Sequence, residues 1–160
     1  MFQCGVMGEA SDATAPMGEP VQQFSVFLQN RAGSLELLIR LLHQSRVELL
    51  GFSVQDSFDV TILRLVLTEP DTVDTIFMER GIAFTDNKIV IVQLDGGAGS
   101  LGSCLEALLS SENNIHISYP LLVRPGDYPL LAISVDDPDF ASYTLQKQGF
   151  KLLYQNDLSR

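Results

Sequence analysis

The sequence predicts an α+β fold in which a β-α-β-β-α-β unit occurs twice in tandem. Three observations point to it. Apolar residues switch between alternating and helical spacing along the chain. Landmarks of the first half return, in the same order, in the second. The chain has 160 residues, 46% apolar and 19% charged, enough to bury a core in one ordinary domain or two very small ones.

Residues 1–20 read as a flexible N-terminal tail: glycines and prolines sit among Ser, Thr, Ala and Glu without periodicity. From Val21 to Gln29 the chain alternates as a strand, with Phe24, Val26 and Leu28 on one side. The tight loop Asn30-Arg31-Ala32-Gly33-Ser34 leads into a helix with the stripe Leu35, Leu38, Ile39, Leu42. Val47–Gln55 and Val60–Thr68 read as strands around the turn Asp56–Asp59. Pro70 opens a second helix, where its missing N–H costs nothing, and Gly81 ends it. Val73, Ile76 and Phe77 are its inner face, and Ile82–Thr85 is a short closing strand.

The same order runs again. Ile89–Leu94 is a strand, Asp95–Ser100 a loop, and Leu101, Cys104, Leu105 and Leu108 a helical stripe. Strands follow at Ile115–Val123 and Leu130–Val135, then a helix from Pro138 to Gly149 with Leu145 inward, then a closing strand at Phe150–Tyr154. Ala32-Gly33-Ser34-Leu35 recurs as Ala98-Gly99-Ser100-Leu101 at an offset of 66 residues, and the helical stripe keeps that offset. Glu69-Pro70-Asp71 recurs as Asp137-Pro138-Asp139 and Gly81 as Gly149, both at an offset of 68, so the second copy carries a two-residue insertion. The expected organisation is a tail over 1–20, a first unit over 21–86 and a second over 87–160.

A unit of this order and length is the ferredoxin-like split βαβ arrangement: an antiparallel sheet with both helices on one face. The other face should be polar if it meets water. Ile89–Val92 and Phe24–Leu28 leave little polar alternation, so both faces of these strands demand burial. Sheet packing on sheet, or a second chain behind, would supply it; the expectation is a homodimer.

Charge narrows the function. Ten Lys and Arg stand against 20 Asp and Glu, a net charge of −10, which argues against nucleic acid and anionic membrane surfaces as partners. No apolar stretch approaches a membrane span, and no basic-then-apolar N-terminus marks secretion. Cys4 and Cys104 make no disulfide framework, and a reduced, cytoplasmic compartment fits.

The loop-to-helix starts Asn30-Arg31-Ala32-Gly33-Ser34-Leu35 and Gly96-Gly97-Ala98-Gly99-Ser100-Leu101 resemble the ACT domain signature: Asn or Asp, a basic residue, a small residue or Pro, Gly, a polar residue and Leu. The strand Ile62-Leu63-Arg64-Leu65 resembles that family's third strand, which often carries Arg. With the repeat and the element order, the resemblance covers residues 21–154 and makes the two units ACT-like. It implies a non-catalytic regulatory module that binds an amino acid or similar small effector at the strand-to-helix loops and unit interfaces, alongside an enzyme it regulates.

The chemistry of such a site can be read from the residues. The first helix of each copy is read as beginning at Gly33-Ser34 or Gly99-Ser100, where free N–H groups and the positive dipole end favour a carboxylate; glycine there, with Gly97 just before the second start, lets a ligand approach the backbone. Ser34 and Ser100 could cap the helix or donate to the ligand. Asn30 could accept from an ammonium group, and Asp95 ends the matching strand. The plainer alternative is that the glycines only turn the chain and the serines only cap.

In the resemblance the second strand reads apolar-Asn-apolar, with the Asn on the effector. Here the triplets are Val47-Glu48-Leu49 and Ile115-His116-Ile117. Glu48 would repel a carboxylate but could pair with an amino group; His116 could do either with pH. Both could instead be solvated edge side chains, leaving one copy without binding.

Other signals carry less. Gly97-Ala98-Gly99-Ser100-Leu101-Gly102 matches the dinucleotide fingerprint, but that motif needs a parallel β-α-β unit. His43 and His116 are far apart in the pattern, the cysteines are unpaired, and no metal site or cofactor is expected. Cys104 occupies the core position of Leu38, and the acidic run at Asp136–Asp139 suits a helix start. Two further readings remain: a ligand-free protein-interaction module, and a nucleotide-binding protein using Gly97–Gly102.

Overall fold

The computed structural model describes residues 18–29 and 33–159. The readings made for Cys4 and the rest of 1–17, and for Asn30, Arg31 and Ala32, fall outside the described residues.

The elements run β1 (Val21–Gln29), α1 (Ser34–Gln44), β2 (Leu49–Asp56), β3 (Val60–Leu67), α2 (Pro70–Arg80), β4 (Phe84–Gln93), α3 (Ala98–Ser110), β5 (Ile115–Pro120), β6 (Leu130–Val135), α4 (Pro138–Lys147), β7 (Lys151–Leu153) and α5 (Gln155–Leu158). All strand pairs among the described residues are antiparallel. The order β2-β3-β1-β4 makes one ferredoxin-like sheet, and β7-β4-β6-β5 makes another.

The main difference from the sequence reading is at the junction of the two units; β5 also ends at Pro120 rather than Val123. The closing strand of the first unit and the opening strand of the second are a single strand, β4. Its first half pairs with β1, from Val26↔Phe84 to Val21↔Ile89, and its second half pairs with β6 and β7. The expected boundary between 86 and 87 therefore falls inside a strand. The polar run Thr85-Asp86-Asn87-Lys88 looks like a turn, but it lies where β4 is the outer strand of the first sheet and exposed to water. The C-terminal turn α5 was also not foreseen; its Gln155 Nε2 donates to the Leu67 carbonyl at 2.9 Å.

Three apolar clusters account for the strand patterns. Phe24, Val26, Leu63 and Leu65 pack under α1 and α2 against Leu38, Leu42, Val73 and Phe77. Val90, Val92, Leu131 and Ile133 pack under α3 and α4 against Cys104, Leu108, Ala141 and Leu145. The opposite sheet faces meet each other within one chain: Val21, Leu50, Val66, Ile89, Ile91, Leu121 and Leu130 form the third cluster. Part of the apolar sheet surface that raised the expectation of a homodimer is covered by the chain itself, while Phe27, Phe52 and Val54 of the first sheet stay exposed.

The expected helical stripes hold at Leu38, Leu42, Cys104 and Leu108, whereas Leu35 and Leu105 are exposed. In α3 the stripe is turned toward α4, so Ala107 is buried in place of Leu105. Gly51 has a packing reason. A Cβ there would overlap the Leu121 side chain, and its absence lets β2 reach the second unit, where Leu122 N–H donates to the Leu50 carbonyl at 2.7 Å.

A polar chain, buried at its Tyr119–Gln23 end and reaching the surface at Asn87, also ties the units together. Tyr119 donates to Gln23 Oε1 at 2.7 Å, Gln23 Nε2 to Asn87 Oδ1 at 3.1 Å, and Asn87 Nδ2 to Ser134 Oγ at 3.3 Å. Burial pushes the Tyr119 phenol well above its usual range, so it stays a neutral donor. Tyr119→Phe is expected to cost about 1–3 kcal/mol, because Gln23 keeps a buried acceptor without its donor. Urea unfolding followed by circular dichroism measures it; a cost near zero would mean that water replaces the hydroxyl.

Candidate functional site

The two helix starts are built on glycine. Gly33 takes φ +88° ahead of α1, and Gly97 takes φ +61° with ψ −137° ahead of α3, conformations that side chains strain to adopt. Among the described residues no side chain caps either helix, whereas Asp137 caps α4 by accepting from Phe140 N–H at 3.0 Å. In α1 the first intrahelical bond runs from Leu37 N–H to the Gly33 carbonyl, so the amides of Ser34, Leu35 and Glu36 lie ahead of it.

The second start is more closed. Gly99 and Ser100 N–H turn back to the carbonyls of Gly96 and Gly97, and Gly96 N–H donates to Ser100 Oγ at 2.8 Å. Ser100 thus braces its own loop. Ala98 and Gly99 are exposed and Leu101 is half-buried; a Cβ at Gly99 would meet nothing within 4 Å. Asp95 is exposed and accepts from Gln93 Nε2 at 2.6 Å.

The remaining candidates lie elsewhere. Glu48 immediately precedes β2, whose start pairs with the end of β3, while α1 starts beyond the far end of β1. Within the first unit Glu48 and Gly33 are therefore at opposite ends. Glu48 instead borders an open groove of about 440 Å³ with Ile39, Leu42, His43, Arg46, Val47 and Leu49. His116 stands at the start of β5, again opposite the start of α3 in its own unit, and pairs with Asp136 at 2.5 Å. Asn114, donating to Asp136 Oδ2 at 2.8 Å, and His116 together hold the Asp136 carboxyl below its usual range. The two helix starts do not approach each other along the sheet either. They flank opposite ends of the ten-residue β4, which at ~3.3 Å per residue spans roughly 33 Å.

Alternatives raised by the sequence meet this geometry. Dinucleotide binding at Gly97–Gly102 requires adjacent parallel strands, but β6 lies between β4 and β5 and pairs antiparallel with both. Cys104 is fully buried, and burial pushes its thiol up to about 11, so it is an inert core residue. Among the described residues no group of three or more His, Cys, Asp or Glu could hold a metal, and no helix is long and apolar enough to cross a membrane. What sequence reasoning missed is the chain Tyr119–Gln23–Asn87–Ser134; its signal is polar residues at inward-facing strand positions.

Residues 19–160 match the family described as an ACT domain pair. The chain belongs to the ACT domain pair family. Solved structures agree on the fold. Protein BT0572 from Bacteroides thetaiotaomicron is 21% identical with a TM-score of 0.80, over 88% of this chain and 96% of that one. The regulatory subunit of aspartate kinase from Thermus thermophilus, in its ligand-free form, is 12% identical with a TM-score of 0.59, over 84% and 94%. The corresponding subunit from Thermus flavus is 12% identical with a TM-score of 0.54, over 80% and 90%. No curated protein matches the sequence significantly. In this ACT pair α1 follows β1 and α3 follows β4, the strand that pairs with both sheets.

Proposed function

We propose that this ACT pair is a non-catalytic regulatory module of the cytoplasm that binds a small carboxylate-bearing effector, an amino acid, and passes its presence to an enzyme. The observation that supports it most is the start of α1, where three leading amides follow a glycine and no side chain among the described residues caps them. That arrangement favours an anion. Because each apolar-polar-apolar triplet lies at the far end of its own unit, an effector touching both a helix start and a triplet would take them from different units. Glu48 would then serve an effector held on a helix start outside the first unit, such as that of α3, and not one on the α1 start. The ligand acts by its differential affinity for two packings of the units.

A thermal-shift screen of the twenty amino acids tests this reading. A ligand at ~100 times its Kd stabilises by about 2.7 kcal/mol, roughly 5–10 °C for a chain of this length. Ser34→Asp is expected to abolish the shift if the first unit binds, and Gly99→Asp if the second does, because each sets a carboxylate where the ligand's would sit. Both positions accept a side chain, whereas Gly33→Asp would strain the backbone at φ +88°. If no amino acid raises the melting temperature, this reading is wrong.

A further inference from the structure

The closing strands of the two units lead to different places. At the 68-residue offset Tyr154 and Gln155 correspond to Asp86 and Asn87. There the first unit runs straight on along β4, whereas the second leaves β7 and turns into α5. That turn lies on the first unit. Gln155, only 5% exposed, donates from Nε2 to the carbonyls of Leu67 at 2.9 Å and Thr68 at 3.4 Å. Its Oε1 accepts from Gln22 N–H at 3.4 Å, and its own N–H donates to the Glu19 carbonyl at 3.0 Å. Ser159 Oγ donates to the same Thr68 carbonyl at 2.5 Å, and Leu158 is buried in the cluster between the sheets. Thr68 carries the contact further. Its N–H donates to the Glu48 carbonyl at 3.1 Å, and its Oγ1 accepts from Glu48 N–H at 3.1 Å. One residue between β3 and α2 thus joins the end of the second unit to the backbone of Glu48, just ahead of β2.

We propose that α5 is a latch between the units. Closed, it fixes the β3–α2 junction and the backbone of Glu48; open, it releases both while the two sheets stay folded. A helix of four residues has no stability of its own, so the latch holds through these bonds and Leu158 rather than through its own turn. Such a segment opens at the low end of the local unfolding energies, below the cost of separating the sheets. Its bonds are also within reach of solvent: Gln155 lines an open groove of about 410 Å³ together with Glu19, Gln22, Asp71 and Lys88. On opening, the carbonyls of Leu67 and Thr68 pass to water, and the bonds that Thr68 makes to Glu48 lose their anchor. A segment of the second unit in this way sets the order of Val47-Glu48-Leu49 in the first. The latch needs no ligand and stands whether or not an effector binds.

Native-state hydrogen exchange of the full chain, free of ligand and read amide by amide by NMR, tests it. In the wild type the amides of Gln155, Ser159, Thr68 and Glu48 are expected to share one protection factor, at least ~10-fold below that of the slowest amides of β4 and β6, with a weaker dependence on urea. Gln155→Met keeps the length of the side chain and removes its donor. It should speed exchange of all four amides at least ~10-fold, because two buried carbonyls lose a partner. Ser159→Ala removes the second donor to Thr68 and should act in the same direction by a smaller factor. Asn156→Ala, at an exposed position of α5, should change none of them. Circular dichroism confirms that each variant is folded. Thr68 and Glu48 exchanging together with the slowest amides of β4 and β6 in the wild type overturns the proposal, since the junction then opens only when the whole chain unfolds. So does a Gln155→Met variant in which Gln155 and Ser159 exchange faster while Thr68 and Glu48 do not, since α5 then moves without the first unit.

Discussion

Ile91→Ala is expected to destabilise the chain by about 2–5 kcal/mol, in a single unfolding transition. Ile91 is fully buried in the cluster between the two sheets and pairs with Ala132 and Leu153 across β4. Its neighbours Val90 and Val92 face the other way, into the core beneath α3 and α4. The cavity left by truncation lies between two sheets that are each anchored on their far side, so little collapse is available to relieve it. Against a total of about 5–15 kcal/mol, that is a large share. The transition should stay single because β4 belongs to both units. The four tyrosines, Tyr119, Tyr128, Tyr143 and Tyr154, all lie in the second half, and there is no tryptophan. Tyrosine fluorescence therefore follows the second unit, while circular dichroism follows the whole chain. Coincident curves are expected; a fluorescence transition separated from the dichroism one would mean that the units unfold independently.

Phe77→Ala is expected to cost about 3–5 kcal/mol. Phe77 is fully buried under α2, in edge-on contact with Phe24 at 5.9 Å and with Phe84 at 5.3 Å between ring centroids. Those three rings join α2, β1 and the beginning of β4, so the loss falls on the part of the first unit that holds the shared strand. Phe58→Ala is the control: its exposed ring should change stability by no more than ~0.5 kcal/mol. Chemical denaturation with a common slope separates the two; a Phe77→Ala cost as small as that of Phe58→Ala would contradict the packing described.

The duplication was legible because it is written in residues that the backbone constrains. Gly81 keeps its positive φ at Gly149, and Pro70 and Pro138 open equivalent helices, whereas Gly99, the counterpart of Gly33 in the repeat, lies inside α3 and the positive φ falls on Gly97 instead. The shared strand was not legible, because Thr85–Lys88 has the composition of a turn and only its pairing with β1 makes it a strand edge. The destination of the apolar sheet faces was half legible. The strands plainly demanded burial on both sides, but whether the same chain or a second one supplied it depends on Gly51 letting β2 close against Leu121 and Leu122. Of the candidate site, the start of α1 at Gly33-Ser34 was read directly, whereas α3 begins at Ala98 behind Gly97 rather than at Gly99-Ser100. The separation of Glu48 and His116 from the helix starts was not legible, since it follows from the direction of each strand relative to its helix. His116 is held by Asp136 rather than standing free, a contact between residues 20 apart that spacing does not reveal.

The proposed effector carries a carboxylate that would sit on the helix-start amides. The most direct measurement is a titration of the amide NMR spectrum with the amino acid that most raises the melting temperature. The expected result is that the amides of Ser34, Leu35 and Glu36, or those of Ala98 to Leu101, move first and furthest, with smaller changes along β4. Changes confined to other surfaces, or none at all, would contradict it.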